Sequence, residues 1–249
     1  MDPFDLGVLA LVAVLTAILS GILGMAGGIT LLAVMLLYLE PLVAIPIHGA
    51  VQLISNASRA VIQRRHVAWP FTARFAVLLL PAGYLGYGFA RGLPPDALKA
   101  AIGAFVLLAT WFPGALLLGT HPERADATRR FVTLGGVVGF LSVTIGATGP
   151  LIAPFFLNIG LDRRGVVGTK AMCQVLSHVA KLIVFGSVGF AFADHLFTIG
   201  LLGVFVIAGT WIGSQLLHRL DERGFLLLYR GVLSLIALRL VVWDGLLRL

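Results

Sequence analysis

The sequence predicts an all-α, polytopic membrane protein, a helix bundle made of two inverted repeats. Its 249 residues are 59% hydrophobic and only 12% charged, with a mean hydropathy of +1.02, whereas an average soluble domain carries roughly 25% charged residues. Apolar stretches of about 18 residues recur along the chain, and this length crosses a hydrocarbon core of roughly 30 Å. The third observation is an internal duplication.

The two halves of the chain repeat each other at an offset of 122 residues. The glycine break at 24–28 (GMAGG) falls on the break at 146–150 (GATGP), and each interrupts an apolar run. Several polar matches in one register indicate two copies of one unit. We therefore expect a first repeat at 1–118, a linker at 119–130 and a second repeat at 131–249. The matching pairs are Glu40 with Asp162, Gln52 with Gln174, Ser55 with Ser177, Asn56 with His178, and Arg59 with Lys181.

Each repeat is predicted to contain a broken first segment followed by three spanning helices, which gives seven or eight membrane segments by hydropathy. In the first repeat these are 6–39 with a break at 24–28, then 43–63, 71–90 and 97–118. In the second repeat they are 131–160 with a break at 146–150, then 165–189, 196–217 and 225–246.

The loop charges favour broken segments that enter and leave the membrane on one side. If every segment crosses, the loop Lys and Arg residues divide seven against six; if both broken segments are re-entrant, they divide ten against three. The positive-inside rule prefers the uneven split, which orients the repeats oppositely, as in many transporters. A full crossing by 6–23 stays open, since it is about 27 Å long at 1.5 Å per residue. The larger group is Arg64, Arg65, Arg74, Arg124, Arg129, Arg130, Arg163, Arg164, Arg219 and Arg223, and the smaller is Arg91, Lys99 and Arg248.

Charge and cysteine content exclude several classes of protein. The formal net charge is +7, but the basic residues lie mainly at the ends of apolar runs and form no aromatic-interleaved stripe, so we expect no nucleic-acid partner. A single cysteine, Cys173, excludes an intrachain disulfide and a Cys-pair redox or zinc site. The sequence has no metal-ligand spacing, phosphate-binding loop or nucleophile turn, so we predict no enzyme activity, metal or cofactor.

Each glycine break is a candidate cavity wall. A break frees backbone N–H and C=O groups, and such backbone is tolerated at membrane depth only where protein or water covers it. The helices that restart at Gly28 and Pro150 would present free N–H donors and positive dipole ends, which favours an anion. The alternative is that the glycines only permit close helix packing. Candidate hydroxyl donors nearby are Thr30, Thr144 and Thr148.

A polar stripe runs along the second helix of each repeat. Ionisable groups inside a span usually face a cavity or a partner, so the two stripes are candidate sites. Snorkelling of the terminal cations to headgroups and interhelical bonding by the glutamines are the alternatives. The stripes are His48, Gln52, Ser55, Asn56 and Arg59, and Lys170, Gln174, Ser177, His178 and Lys181.

The two histidines of these stripes differ in their expected places. His178 titrates near neutral pH and is a candidate proton relay, with a packing role as the alternative. His48 stands beside Pro46 near an apparent helix start, so we expect an interfacial position for it.

Four motifs together carry a family resemblance. They are GILGMAGG at 21–28, HGAVQLISN at 48–56, IGATGP at 145–150 and GTKA at 168–171. The chain resembles the sulfite exporter TauE/SafE family, also called the toluene-sulfonate uptake permease family, over essentially its whole length. That resemblance implies a multi-pass transporter of the bacterial inner membrane for small sulfur-containing anions such as sulfite, sulfoacetate or other organosulfonates, driven by an ion gradient.

The resulting hypothesis is a secondary transporter that moves a small oxyanion by alternating access, as one repeat rocks against the other. A proton gradient or another ion gradient would drive it, and the lipid bilayer is its setting. An anion channel and a non-transporting assembly or scaffold subunit are the alternatives, and a homodimer is left open. The predicted substrate-binding residues are Gly27, Gly28, Thr30, Gln52, Asn56, Thr148, Gly149, Gln174 and His178, and the predicted electrostatic or coupling residues are Arg59, Lys170, Lys181 and His178.

Overall fold

The computed structural model describes residues 2–23, 27–117, 126–156, 159–216 and 222–248. Every regular element within these ranges is a helix, so the predicted all-α class is confirmed for this part of the chain. The centre of the first break, 24–26, the last residue of the predicted first repeat, 118, and most of the predicted linker, 119–125, lie outside the described residues.

The helices follow the predicted order in both halves. The first half contains α1 (Pro3–Leu23), α2 (Gly27–Met35), α3 (Pro41–Ile62), α4 (Trp69–Ala76), α5 (Leu79–Arg91) and α6 (Pro95–Trp111). The second half contains α7 (Ala127–Thr144), α8 (Gly149–Ile152) with a 3-10 turn at Ala153–Phe156, α9 (Arg163–Ser187), α10 (Leu196–Leu216) and α11 (Glu222–Val241), which ends in a π-helical turn at Val242–Leu246.

The second helix of each half begins at equivalent positions. Glu40 is the N-cap of α3, and Pro41 follows at a position where its missing N–H costs nothing. Asp162 is the N-cap of α9, and its Oδ1 accepts a hydrogen bond from the Gly165 N–H at 2.7 Å. These two acidic residues match at the offset of the repeat, so both stripe-bearing helices start in register.

Both broken segments fold back as helical hairpins. Gly27 packs directly on the Thr16 carbonyl, although an uninterrupted helix would place these residues about 16 Å apart. After the second break, the Phe156 ring returns to within 5.3 Å of the Phe131 ring at the start of α7. The first arm, α1, has 21 residues and is about 31 Å long, so this arm alone has the length of a crossing.

The strongest helix contacts join one half of the chain to the other. Helix α1 packs against α10, and its repeat counterpart α7 packs against α5. Helix α3 packs against its own counterpart α9, and α6 packs against α11. Helix α2 is buried on all sides except at Gly28. The chain therefore forms two mixed bundles, α1–α2–α3–α10 and α4–α5–α7–α9, which meet mainly where α3 crosses α9.

Two helices among the described residues are long and apolar enough to cross a membrane. The first is Trp69–Arg91, which covers α4 and α5 together, and the second is Phe192–Gly213, which covers most of α10 and the turn before it. A shorter apolar helix, Pro3–Ile18, lies within α1. Only 28% of the most apolar window of each long helix is buried, so their outer faces are free to contact lipid. Large apolar side chains such as Leu85 and Trp211 are exposed on these faces. The number of crossings stays a prediction.

Small residues bring α10 into close contact with α1. A Cβ at Gly209 would collide with the Val14 carbonyl, and one at Gly213 would lie 2.7 Å from the Ile18 carbonyl. The same spacing on α5 does not act in this way, since a Cβ at Gly88 would meet nothing within 4 Å. Of the pairs Gly88/Gly92 and Gly209/Gly213, only the pair on α10 lies against the backbone of another helix.

We predict that Gly213→Ala lowers the thermal stability of the detergent-solubilised protein. The added methyl group must push α10 away from the α1 backbone, a strain that typically costs about 1–3 kcal/mol. Gly200→Ala on the same helix is the matched control, because a Cβ there meets nothing within 4 Å. Size-exclusion thermostability assays measure both, and equal melting temperatures would contradict the predicted contact.

Candidate functional site

A small polar cavity lies where the two breaks meet α3 and α9. Its volume is about 30 Å³. It is lined by segments from both halves of the chain, so the fold brings together residues that are far apart in sequence. The predicted site residues that line it are Gly28, Gln52, Asn56, Arg59, Thr148, Gly149, Gln174 and His178.

Four predicted site residues are not part of this lining. Gly27 packs on α1, where its N–H donates to Ser20 Oγ at 3.1 Å. Thr30 is buried within α2. Lys170 is half-buried on α9 and lies near enough to Arg59 for their charges to interact. The fourth, Lys181, has a different role.

Lys181 binds the backbone of the second break. The side chain is 0% exposed, and its Nζ donates to the Gly146 carbonyl at 2.6 Å. Its stem crosses α3 at Gly49, where a Cβ would lie 2.7 Å from Lys181 Cδ, so glycine leaves room for the stem. The snorkelling alternative is therefore wrong for Lys181, because the nearest acceptor for its ammonium group is inside the protein.

His48 binds the backbone of the first break. Its Nε2 lies 2.8 Å from the Gly28 carbonyl, and the side chain is only 1% exposed. The interfacial position expected for His48 is wrong. Helix α3 begins at Pro41 and continues through Pro46, so His48 lies in its second turn and faces the cavity rather than the headgroups.

The side-chain amides of the site lie close to the broken backbone. A Cβ at Gly28 would be 3.2 Å from the amide carbon of Gln52, so Gln52 rests on the main chain of the first break. Asn56 is less free, because its Nδ2 donates to the main-chain carbonyl of Gln52 at 2.9 Å. Gln174 lines the cavity from α9. The two glutamines thus face the same cavity from opposite helices.

The helix starts at the two breaks are unequal. Helix α2 begins at Gly27 and has nine residues, whereas α8 begins at Gly149 and has four before a 3-10 turn replaces it. The expected second apolar helix at 151–160 is therefore wrong in length. Pro154 explains the change, because it has no N–H to continue an α-helix and its ring blocks the preceding turn. Only α2 contributes a substantial helix dipole.

Unpaired polar atoms surround the cavity. Arg59 Nη2, Ser177 Oγ and the Nδ1 atoms of His48 and His178 are buried and have no hydrogen-bond partner. All four residues line the cavity, and no carboxylate is among the lining residues that the structure describes. Buried polar groups without partners are costly, so these atoms indicate a ligand or water, and the local charge favours an anion.

Residues that are not among the predicted site residues also line the cavity. Ser177 and His48 belong to the polar stripes, so helical periodicity had placed them on the correct face. Ser20 and Ala147 lie next to the breaks in the folded chain, and Ser20 reaches the site only because α1 and α2 form a hairpin. No group of three or more metal-ligating side chains occurs in the described part of the chain.

Comparison with known proteins assigns the chain to a family. The model of the family described as "Sulfite exporter TauE/SafE" matches residues 9–240. The chain belongs to the TauE/SafE family. It is also similar to the "Probable membrane transporter protein YtnM" of Bacillus subtilis (strain 168), with 25% identity over 252 residues, covering 94% of this chain and 82% of that protein. No solved structure matches the chain.

Membership confirms the resemblance drawn from the four motifs. TauE/SafE proteins are membrane transporters and not enzymes, so the cavity of this TauE/SafE protein belongs to a transporter. The family also implies a small anion as substrate and a membrane setting. The scaffold alternative loses its support, while the residues that contact the anion remain a matter for proposal.

We predict that the His48 contact stabilises this TauE/SafE fold. His48→Phe removes the donor to the buried Gly28 carbonyl and should cost about 1–3 kcal/mol, seen as a lower melting temperature. His48→Gln supplies an amide N–H at a similar reach and should stay closer to wild type. If the two variants melt together, the hydrogen bond to Gly28 does not contribute as the geometry indicates.

Proposed function

We propose that this protein is a secondary transporter that moves a small sulfur-containing oxyanion across the bacterial inner membrane by alternating access. The family description names sulfite, and the resemblance carried by the four motifs extends the substrate class to sulfoacetate and other organosulfonates. An ion gradient drives the movement. The observation that carries the proposal is the cavity between the two breaks, which has unpaired donors, one guanidinium group and no carboxylate in its described lining.

The donors around the cavity suit a tetrahedral or pyramidal oxyanion. Arg59 and Ser177 offer unpaired polar atoms from α3 and α9, and the glutamine amides Gln52 and Gln174 offer neutral donors. Oxyanion oxygens accept several hydrogen bonds at once, and bonds from a charged guanidinium are the strong ones. The cavity volume of about 30 Å³ has room for about one or two water molecules, so the cavity must widen to admit an organosulfonate.

The helix packing supports a specific form of alternating access. The sequence predicts that one repeat rocks against the other. The close contacts of α1 with α10 and of α5 with α7, however, join the two halves. The moving bodies are instead the two mixed bundles, each containing one broken hairpin. Their main contact, α3 against α9, adjoins the cavity, so a change there opens the site first to one side and then to the other.

Transport assays test the site. We predict that Arg59→Met raises the half-saturating anion concentration roughly 10- to 100-fold, because a charge-assisted hydrogen bond is worth about 1.5–3 kcal/mol. Gln52→Ala and Gln174→Ala should each raise it by up to about tenfold, since neutral bonds are weaker. Uptake of labelled sulfite, methanesulfonate and sulfate into proteoliposomes measures the effect.

Arg65→Met is the matched control, because Arg65 is exposed in the 3-10 turn after α3 and lies outside the cavity lining. No uptake of any of these anions by the wild type would reject the proposed function. Unchanged uptake by both glutamine variants would reject the site. Flux that never saturates would instead identify an anion channel.

Cysteine labelling tests the inverted orientation of the repeats. With Cys173 replaced by serine, we predict that single cysteines at Arg65 and Arg164 react with an impermeant thiol reagent from the same side of the membrane. Both side chains are exposed. If both broken segments crossed fully, the two positions would label from opposite sides. Arg219, the other informative position, lies outside the described residues.

A further inference from the structure

The position and hydrogen bonding of His48 identify the coupling ion. On the basis of the proposed anion transport, we propose that His48 takes up a proton at Nδ1 when an anion occupies the cavity, and that this proton crosses the membrane with the anion. The sequence alone predicts an interfacial position for His48 and makes only His178 a candidate proton relay.

The hydrogen bond to Gly28 fixes the tautomer of His48. The Gly28 carbonyl can only accept a hydrogen bond, so the ring nitrogen 2.8 Å away, Nε2, must carry the hydrogen. In the neutral ring, Nδ1 then holds a lone pair. That atom is buried and has no hydrogen-bond partner. The backbone of the first break thus leaves His48 with one unoccupied proton-accepting atom beside the cavity.

The charged groups near Nδ1 of His48 are cations. The cavity lining that the structure describes holds one cation, Arg59 of α3, and no carboxylate. Lys181 lies near enough for its charge to act on both histidines, and α2 and α10 carry no titratable residue. Besides His48, the titratable residues of α3 and of the helices packed against it are Arg59 of α3, Arg163, Arg164, Lys170, Cys173, His178 and Lys181 of α9, and Asp96 and Lys99 of α6, of which Lys99 pairs with Glu40 at 3.7 Å.

Binding of the proton and binding of the anion are thermodynamically linked. In the empty cavity the neighbouring cations oppose another positive charge on His48. An anion cancels their field, so it favours protonation, and by reciprocity a proton on His48 strengthens anion binding. The protonated ring donates from both nitrogens, one to Gly28 and one toward the anion. Anion affinity therefore rises as the pH falls.

The distance between the two histidines bears on the number of protons carried with each anion. The rings of His48 and His178 lie edge to face, with centroids 6.4 Å apart, so two positive rings at this distance would repel each other in a buried site. We expect one proton for each anion. His48 is the carrier, because its Nε2 is hydrogen-bonded to Gly28, whereas no hydrogen bond among the described residues fixes the tautomer of His178.

Proteoliposomes with the membrane potential clamped provide the test. The probes are labelled sulfite, methanesulfonate and sulfate, of which the last two keep a constant charge near neutral pH. Two readouts are compared: exchange of labelled for unlabelled anion at equal pH, and accumulation driven by a pH gradient. In the wild type, a monovalent anion should accumulate about tenfold for each pH unit, the limit for one coupled proton.

His48→Gln separates the roles of the two ring nitrogens. Its amide can still donate to Gly28 but cannot take up a proton. We expect slower but measurable exchange, within about tenfold of wild type, and loss of accumulation to the level without a gradient. His66→Gln, in the exposed 3-10 turn after α3, should accumulate like the wild type.

The outcomes separate the inference from the proposed function. If the wild type exchanges none of the anions, the proposed function fails. If the wild type exchanges an anion but a pH gradient drives no accumulation, or if His48→Gln accumulates like the wild type, the proton proposal is overturned while transport stands. If His48→Gln does not fold, a pH dye inside wild-type vesicles decides: anion entry must acidify the lumen, and a constant lumenal pH with methanesulfonate or sulfate rejects the proposal.

Discussion

The structure depends on satisfying the backbone at two helix breaks inside an apolar protein. Lipid offers no hydrogen bonds, so each freed N–H or C=O group must find a partner within the chain. Three side chains do this: Ser20 for the Gly27 N–H, His48 for the Gly28 carbonyl and Lys181 for the Gly146 carbonyl. Because these partners come from α1, α3 and α9, the same bonds hold the elements that enclose the cavity.

The two halves meet this requirement with different positions of the repeat. Lys181 serves the second break, whereas its counterpart Arg59 lines the cavity with an unpaired Nη2. His48 serves the first break, whereas its counterpart Lys170 lies outside the lining. In each half, one nitrogen-bearing side chain is thus hydrogen-bonded to the backbone of that half's break. Equivalent positions of the two halves thus have different partners, and one guanidinium group, that of Arg59, lines the cavity.

The sequence predicted the breaks, the helix order and the polar faces because these depend on local composition and helical period. The offset between repeats placed the second break close to where α8 starts, and the stripe on α3 faces the cavity as its spacing indicated. Periodicity assigns a face but gives neither depth nor the partner at the end of a long side chain. Lys181 and His48 were misplaced for this reason, since their partners are carbonyls of distant segments.

Ser20 could not be found from the sequence, because it meets Gly27 only after the chain reverses direction. The short α8 was more accessible to sequence reasoning. Pro154 lies within the predicted second arm, where proline removes an N–H and ends regular α-helix. Hydropathy alone predicts one segment over 151–160, whereas Pro154 indicates that the α-helix ends within it.

The locations of the backbone bonds bear on how such a protein can move. His48 and Gly28 both belong to the α1–α2–α3–α10 bundle, and Lys181 and Gly146 lie on α9 and at the end of α7, within the other bundle. A shift of one bundle against the other therefore leaves both bonds intact. The contact that must change is the crossing of α3 and α9, where the Lys181 stem lies on Gly49. Glycine offers no side chain to interlock with the stem at this point. The constraint that holds each break together is thus compatible with the motion that the proposed transport requires.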